Sequence, residues 1–294
     1  MDLEKGLLVI NPCAGRRRGI RKLQSIVKAL SGAMTLDVYE TTGRLDATKK
    51  AASDGGSYDV IIACGGDGTL NEVINGVMTL PCRPQIGYIP CGSTNDFAFS
   101  VPLPLNPVSC AEGIALGGVT LLDVGSFDDR WFAYIASFGA FTESSYSTPQ
   151  ELKNQIGHQA YIFDGLKRLN SLNSYLMNID ADGKHYEGRF IYGSVSNTTS
   201  VGGIVRLRKN TIRLNDGKFE MLLIREPENQ GQYLKIVSDI LAGTFTDEHF
   251  IFTKVRDVVF RPAHPLAWTL DGECADRIKE VHVQNNCRAL QLRA

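Results

Sequence analysis

The chain has 294 residues, more than one hydrophobic core usually needs, so two domains are predicted. Hydrophobic residues make up 43% and charged residues 21%, the balance of a globular protein rather than a disordered or fibrous one. Lys+Arg 31 against Asp+Glu 32 leaves a net charge of -1, which gives no reason to expect nucleic acid or strong membrane attraction by bulk charge. Seven cysteines, an odd number with no C-x-x-C pair, predict a reducing, cytoplasmic compartment. "MDLEKGLLVINP" carries acidic residues and too short an apolar run for a signal peptide. No apolar stretch reaches about 18 residues, so no transmembrane helix is expected.

In chain order, "LLVIN" (7–11) is a short apolar run ending at Asn-Pro. Ile20, Leu23, Ile26, Val27 and Leu30 then recur at helical spacing. "TLDVYE" (35–40) alternates as a strand does, and Asp46 is placed to cap a short helix through Ala51. "DVIIAC" (59–64) reads as a buried strand; Leu70, Val73, Ile74 and Val77 mark one helix face; "QIGYIP" (85–90) is another strand. Strands alternating with helices predict a parallel sheet, with ligands at the carboxyl ends of its strands. The glycine and polar clusters at 11–15, 41–43, 65–69 and 91–96 each follow a strand, so they gather on one edge.

Near 120–128 the texture changes. "TLLDVGSF" and "RWFAYIASFGA" read as closely spaced strands, followed by a helical stretch at about 149–169. Asp182-Gly183 and Asp216-Gly217 are hairpin signals, one helix interrupts at about 230–243, and "DVVFRPAHPLAWTLDGE" and "EVHVQNNCRALQLRA" close the pattern. The predicted fold class is therefore α/β plus mostly β: a parallel-sheet α/β domain over 1–123 and an antiparallel β-sandwich over 124–294, whose last strand can return to the first domain.

Gly65-Gly66-Asp67-Gly68-Thr69 carries the chemistry. Glycines between a buried strand and a helix let backbone amides approach a phosphate with no Cβ in the way. The helix start adds its positive end. An Asp there repels bare phosphate but suits a site in which Mg²⁺ lies between the two. The competing reading is an ordinary turn with Asp67 as a cap. Asp271-Gly272-Glu273 is a β-turn signal by itself; were the segment extended, Asp271 and Glu273 would point the same way. "RRRGIRK" (16–22) puts five basic side chains at a helix start, either a solvated face or an attraction to phosphates or an anionic membrane. Phe138 and Phe141 are core residues or the lining of a lipid groove, core being the commoner fate. The five histidines show no metal-ligand spacing.

"GGDGTLNE" (65–72) resembles the signature of the diacylglycerol kinase catalytic-domain family, and three more segments match in order: "INPCAG" (10–15), "IPCGSTNDFA" (89–98) and "TLDGE" (269–273). The resemblance covers essentially the whole chain. It implies a phosphofructokinase-like first domain, a β-sandwich second domain, and ATP in the cleft between them. Carried over by position, the implied nucleotide contacts are Asn11, Pro12, Cys13, Ala14, Gly15, Thr41, Gly65, Gly66, Asp67, Gly68, Thr69, Leu70, Asn71 and Ser93. Ala14 replaces the family's usual Ser and Ser93 its commoner Thr, which implies tuning rather than loss. The Asp-Gly-Glu motif matches the region assigned the general base, with Asp271 and Glu273 both candidates. Asp216 matches the carboxylate of a structural Mg²⁺ site in the bacterial branch, Arg213 and Lys218 contributing backbone carbonyls. Asp123 and Asp96 match a magnesium-bound water network; each also has a plain reading, as a strand-end polar residue and a helix cap.

These readings predict a cytoplasmic, ATP- and Mg²⁺-dependent lipid kinase that meets its substrate at the membrane surface, with diacylglycerol as first candidate and phosphatidic acid as product. A kinase of another lipid, such as a sphingoid base or phosphatidylglycerol, an NAD kinase, and a nucleotide- or lipid-binding protein without catalysis are the alternatives. No N-N-E segment of the NAD kinases is evident, and retention of Asp67 and the Asp-Gly-Glu disfavours the non-catalytic reading. An exposed edge strand in the sandwich would allow a homodimer.

Overall fold

The computed structural model describes residues 3–101, 103–139, 173–198, 200–201, 205–206, 213–245 and 248–294. The chain divides into two compact units, one formed by 1–124, 130–133 and 286–294, the other by 125–129 and 134–285.

The first unit alternates strand and helix: β1 (Glu4–Ile10), α1 (Arg18–Leu30), β2 (Met34–Glu40), α2 (Asp46–Asp54), β3 (Val60–Gly65), α3 (Asp67–Val77), β4 (Gln85–Pro90), α4 (Asp96–Ser100) and α5 (Pro107–Leu116). The sheet order is β4-β3-β1-β2, every pair parallel. β3 is buried along its whole length because both of its faces are covered. Val60, Ile62 and Cys64 pack with Ile26 and Leu30 of α1 and with Cys110, Ala111 and Ile114 of α5. On the other face α2 and α3 lie so close that a Cβ on Gly76 would meet Ala51 Cβ at 2.6 Å. Asp46 is the first residue of α2; its carboxylate accepts from the Thr42 amide at 2.7 Å and the Tyr39 hydroxyl at 2.9 Å, which pulls its pKa down.

β5 (Val119–Phe127) and β6 (Arg130–Phe132) lead on to β7 (Ile135–Gly139), β8 (Tyr175–Ala181), β9 (Lys184–Ser196), β10 (Ser200–Val201), β11 (Val205–Arg206), β12 (Phe219–Arg225), α6 (Gln230–Ala242), β13 (Phe250–Val255), β14 (Asp257–Pro262), β15 (Leu266–Leu270), β16 (Glu273–Ile278) and β17 (Val281–Arg293). In the second unit the described ladders are antiparallel: β8 pairs β9 and β14, β7 pairs β9 and β15, and β12 pairs β9 and β13. The Asp182-Gly183 hairpin joins β8 to β9 with φ of 46° and 80°, as the Asp-Gly signal predicts. Trp268 anchors the core, with Phe138 at 4.8 Å, Phe260 at 5.0 Å and Phe127 at 5.2 Å between ring centroids. Phe138 is thus a core residue; Phe141 and the helical stretch at 149–169 lie outside the described residues. The end of β17 pairs in parallel with β4, Leu292 opposite Ile86. No helix among the described residues is long and apolar enough to cross a membrane.

Candidate active site

Parallel pairing brings the loops after β1, β3 and β4 to one edge of the first unit. The Asn11 amide donates to the Cys64 carbonyl at 3.0 Å, and the Asn11 side chain reaches Thr69 Oγ1 at 3.3 Å, tying the first loop to the second. Asn11 Oδ1 accepts from the Cys13 amide at 3.0 Å, which turns the chain after Pro12. Ala14 opens a short 3₁₀ turn (Ala14–Arg17). Gly15 has φ +49°, and a Cβ there would stand 1.8 Å from the Cys91 carbonyl oxygen, so only glycine fits. Arg16 and Arg17 continue in the left-handed region at φ 57° and 65°, their side chains exposed. Thr41, after β2, donates its amide to the Ile10 carbonyl at 2.9 Å.

In the second loop a Cβ on Gly65 would strike Thr69 Oγ1 at 2.3 Å. Gly66 is the N-cap of α3 and has no side chain to cap it, so α3 presents its amide end beside Asp67 and Gly68. The Asp67 carboxylate turns away from its own helix: it accepts from the Asp96 amide at 2.9 Å and the Phe97 amide at 3.3 Å, capping α4 instead. Burial raises its pKa, against these amides and the Tyr88 hydroxyl. Tyr88 lies 3.4 Å from Asp67 Oδ1 and 3.3 Å from Asn95 Oδ1, and Asn95 closes the third loop by accepting from the Gly92 amide at 2.8 Å. Ser93 is exposed in that loop, and Asp96 is the first residue of α4. Tyr88 and Asn95 are braces that apolar periodicity does not reveal; the Tyr88 hydroxyl meets Asp67 through the register of β4 on β3, and Asn95 meets Tyr88 in turn.

Not every residue of the set faces this edge. Leu70 is buried, 1% exposed, in the α3 core face. Asn71 donates from its side chain to the Trp131 carbonyl at 3.1 Å, and Asn75 makes two bonds to the same residue, accepting from its amide at 3.0 Å and donating to its carbonyl at 2.9 Å. Asp123, 1% exposed, accepts from the Arg288 amide at 2.7 Å and so fixes the end of β17.

In the second unit, "TLDGE" is a hairpin rather than an extended segment. Leu270 pairs with Glu273 across a two-residue turn, with φ +49° at Asp271 and +85° at Gly272. The two carboxylates therefore part. Asp271 is 3% exposed, its Oδ1 accepting from the amides of Tyr134 and Ile135, each at 3.0 Å, while Glu273 is exposed. Asp216 accepts from the Lys218 amide at 3.1 Å through Oδ1 and from Lys254 Nζ at 2.8 Å through Oδ2. Lys254 also approaches Glu220 Oε1 at 3.5 Å. Glu220 is 3% exposed, neither carboxylate oxygen has a hydrogen bond, and burial pushes its pKa up to about 7. This acidic pair suits a cation and is bridged by an ammonium; Arg213 is exposed at the start of the same segment. Among the described residues no three His, Cys, Asp or Glu side chains cluster as a metal site.

The model of the diacylglycerol kinase catalytic domain matches residues 5–127. A diacylglycerol kinase of Bacillus subtilis (strain 168) is 34% identical over 277 residues, 92% of this chain and 90% of that protein. A diacylglycerol kinase of Staphylococcus saprophyticus is 31% identical over 278 residues, 94% of this chain and 90% of that one. Two solved structures from Bacillus anthracis str. Sterne share the fold over 100% of this chain: one with TM-score 0.83 at 24% identity, covering 96% of its own chain, and a diacylglycerol kinase with TM-score 0.78 at 22% identity, covering 97%. The α/β unit with a parallel sheet and the antiparallel β unit are thus those of its relatives, and the chain belongs to the diacylglycerol kinase catalytic-domain family, a family of lipid kinases.

Proposed function

We propose that this lipid kinase transfers the γ-phosphate of ATP to the free hydroxyl of diacylglycerol, giving phosphatidic acid. The observation that carries the reading is the edge formed by Gly15, Gly65 and Gly66, where a Cβ on Gly15 or Gly65 would collide with backbone or with Thr69 and the α3 N-terminus has no side-chain cap. Backbone amides there can surround phosphate oxygens closely. Asn11 and Thr69 hold the first two loops in register, and Asp67, through α4, holds the third. Magnesium bound with ATP supplies charge neutralisation on the phosphates. Asp67 and Asp96 would hold it in the first unit; Asp67 Oδ2, which accepts from the Asp96 amide, has a second lone pair to offer a cation. Asp216 would hold a structural ion only by giving up Lys254.

Between the two base candidates, exposure supports Glu273. Its carboxylate is open to a hydroxyl, whereas Asp271 Oδ1 is occupied by two amides that order the turn. Glu273 then accepts the hydroxyl proton, and Asp271 positions it. The lipid is met transiently at the membrane surface from the cytoplasm. The B. subtilis and S. saprophyticus relatives are both named for diacylglycerol, which supports that acceptor over other lipid alcohols. β13, an edge strand among the described residues, offers a pairing surface for a second copy. Incubation with labelled ATP, Mg²⁺ and a panel of lipid alcohols in mixed micelles tests the reading. Labelled phosphatidic acid is the expected product, and folded protein that labels only another lipid, or none, overturns it.

A further inference from the structure

Two of the seven cysteines lie against one another inside the first unit. Cys64 is the penultimate residue of β3 and Cys91 follows β4 directly; both are fully buried, and their sulfurs are 3.7 Å apart. Cys13, Cys82, Cys274 and Cys287 are exposed, and Cys110 is buried in the same core with its thiol donating to the Pro104 carbonyl at 2.7 Å. A disulfide needs about 2.05 Å between sulfurs, so closure asks for a movement of about 1.7 Å. Gly19 of α1 lies against both sulfurs: a Cβ there would come within 3.0 Å of Cys64 Sγ and 3.3 Å of Cys91 Sγ.

Cys91 is also the residue on which the three loops converge. Its amide donates to the Gly65 carbonyl at 2.7 Å. Its carbonyl oxygen fills the space where Gly15 has no Cβ. Its neighbour Gly92 packs on Gly66, a Cβ there reaching Gly66 Cα at 2.6 Å. Any displacement of Cys91 is transmitted to all three loops, because each contact is with backbone that has no side-chain slack.

We propose that Cys64 and Cys91 are a reversible oxidation site, closed to a disulfide by a peroxide, and that closure weakens nucleotide binding at the loop edge. The second half rests on the nucleotide reading given above; the first half does not. The two thiols are differentiated for this chemistry. The hydrogen bond from Cys64 lowers the Cys91 pKa, with help from the Arg18 charge, while the same bond and burial push Cys64 up. The Cys91 thiolate attacks one oxygen of the peroxide, forming the sulfenic acid Cys91–SOH and releasing hydroxide, which takes up a proton as water. The Cys64 sulfur then attacks the Cys91 sulfur, the S–O bond breaks, and the hydroxyl leaves with the Cys64 proton as a second water. In total two thiols and one hydrogen peroxide give one disulfide and two waters. A thiol reductant reverses the change by exchange through Cys91.

The test uses the full chain carrying Cys82→Ser, so that cleavage before aspartates leaves Cys64 alone in 59–66 and Cys91 alone in 67–95. After hydrogen peroxide and alkylation, non-reducing mass spectrometry is expected to find these two peptides joined, lighter by two hydrogens and separated again by dithiothreitol. Binding of a fluorescent ATP analogue is expected to weaken by about tenfold on oxidation, to recover on reduction, and to be insensitive to peroxide in the additional Cys64→Ala variant. Unlinked 59–66 and 67–95 while exposed cysteines are oxidised would overturn the site. Linked peptides with unchanged analogue binding would overturn the regulatory half. Failure of the reduced protein to bind the analogue at all would instead refute the nucleotide reading, and the peptide linkage would still decide the cysteine pair.

Discussion

Replacing Glu220 by Gln should remove a pH-dependent loss of stability from the second unit. Glu220 stands on β12 opposite Lys254 of β13 and Ser196 of β9, 3% exposed, with both carboxylate oxygens lacking a hydrogen bond. Desolvation raises its pKa from 4.5 to about 7 in the fold, Lys254 opposing the rise. A carboxyl whose folded pKa lies above its unfolded one favours the fold fully below the unfolded value, and that favour is lost as pH climbs through the folded value. At about 1.4 kcal/mol per pH unit, the loss between pH 4.5 and pH 8 amounts to about 3 kcal/mol. Glutamine has the shape of the protonated acid and does not titrate, so the variant escapes this slope. Its buried amide adds a constant offset of about 1–3 kcal/mol, which is why the slope rather than the sign is diagnostic. Trp268 is buried in the second unit and Trp131→Phe leaves it the only tryptophan, so urea unfolding followed by its fluorescence at pH 5, 6, 7 and 8 reads the right transition. The difference between variant and parent should grow by about 2.5 kcal/mol from pH 5 to pH 8, since part of the loss already occurs below pH 5. A difference that stays flat with pH would refute the argument that Glu220 is a buried carboxyl titrating near neutrality.

Gly15→Ala should lower affinity for an ATP analogue by about tenfold or more, since the new Cβ meets the Cys91 carbonyl at 1.8 Å in a left-handed residue; unchanged titration calorimetry would contradict it. Glu273→Gln should cut kcat by about 10²-fold or more with an unchanged melting temperature, because the side chain is exposed. Asp271→Ala should cost about 2–3 kcal/mol in calorimetric stability by stranding the Tyr134 and Ile135 amides, whatever it does to turnover. Asn75→Leu should destabilise the first unit by a similar amount, as it strips Trp131 of two bonds; denaturation of the first unit at an unaltered urea midpoint would show those bonds to be idle.

Much of the first unit could be read from the chain. The apolar runs at 59–64 and 85–90 became β3 and β4, and a parallel sheet requires the polar clusters behind them to meet on one edge. The hairpin signal at Asp182-Gly183 is equally local, because the left-handed φ values that Asp and Gly tolerate define the turn. The same signal at Asp271-Gly272 gives a turn too, and there the expectation from an extended segment, two carboxylates side by side, does not hold: the turn buries one and exposes the other. Asp67 is a further case. A carboxylate at a helix start reads as a partner for its own helix or for a metal; in the fold its oxygens go to the amides of Asp96 and Phe97, 29 and 30 residues away.

The sequence by itself determined the strand–helix alternation, the antiparallel second half, the glycine positions at the loop edge and the family they belong to. Those features are written in short-range terms: periodicity, turn conformations and the absence of a Cβ. Tertiary structure alone decided which polar groups find one another. Tyr88 reaches Asp67, Asn75 reaches Trp131, Lys254 bridges Asp216 and Glu220, and Cys64 lies against Cys91, all through strand register and helix packing. A register shift of one residue would turn Tyr88, Cys64, Glu220 and Lys254 to the opposite faces of their strands, and no local pattern records which register the packed core selects.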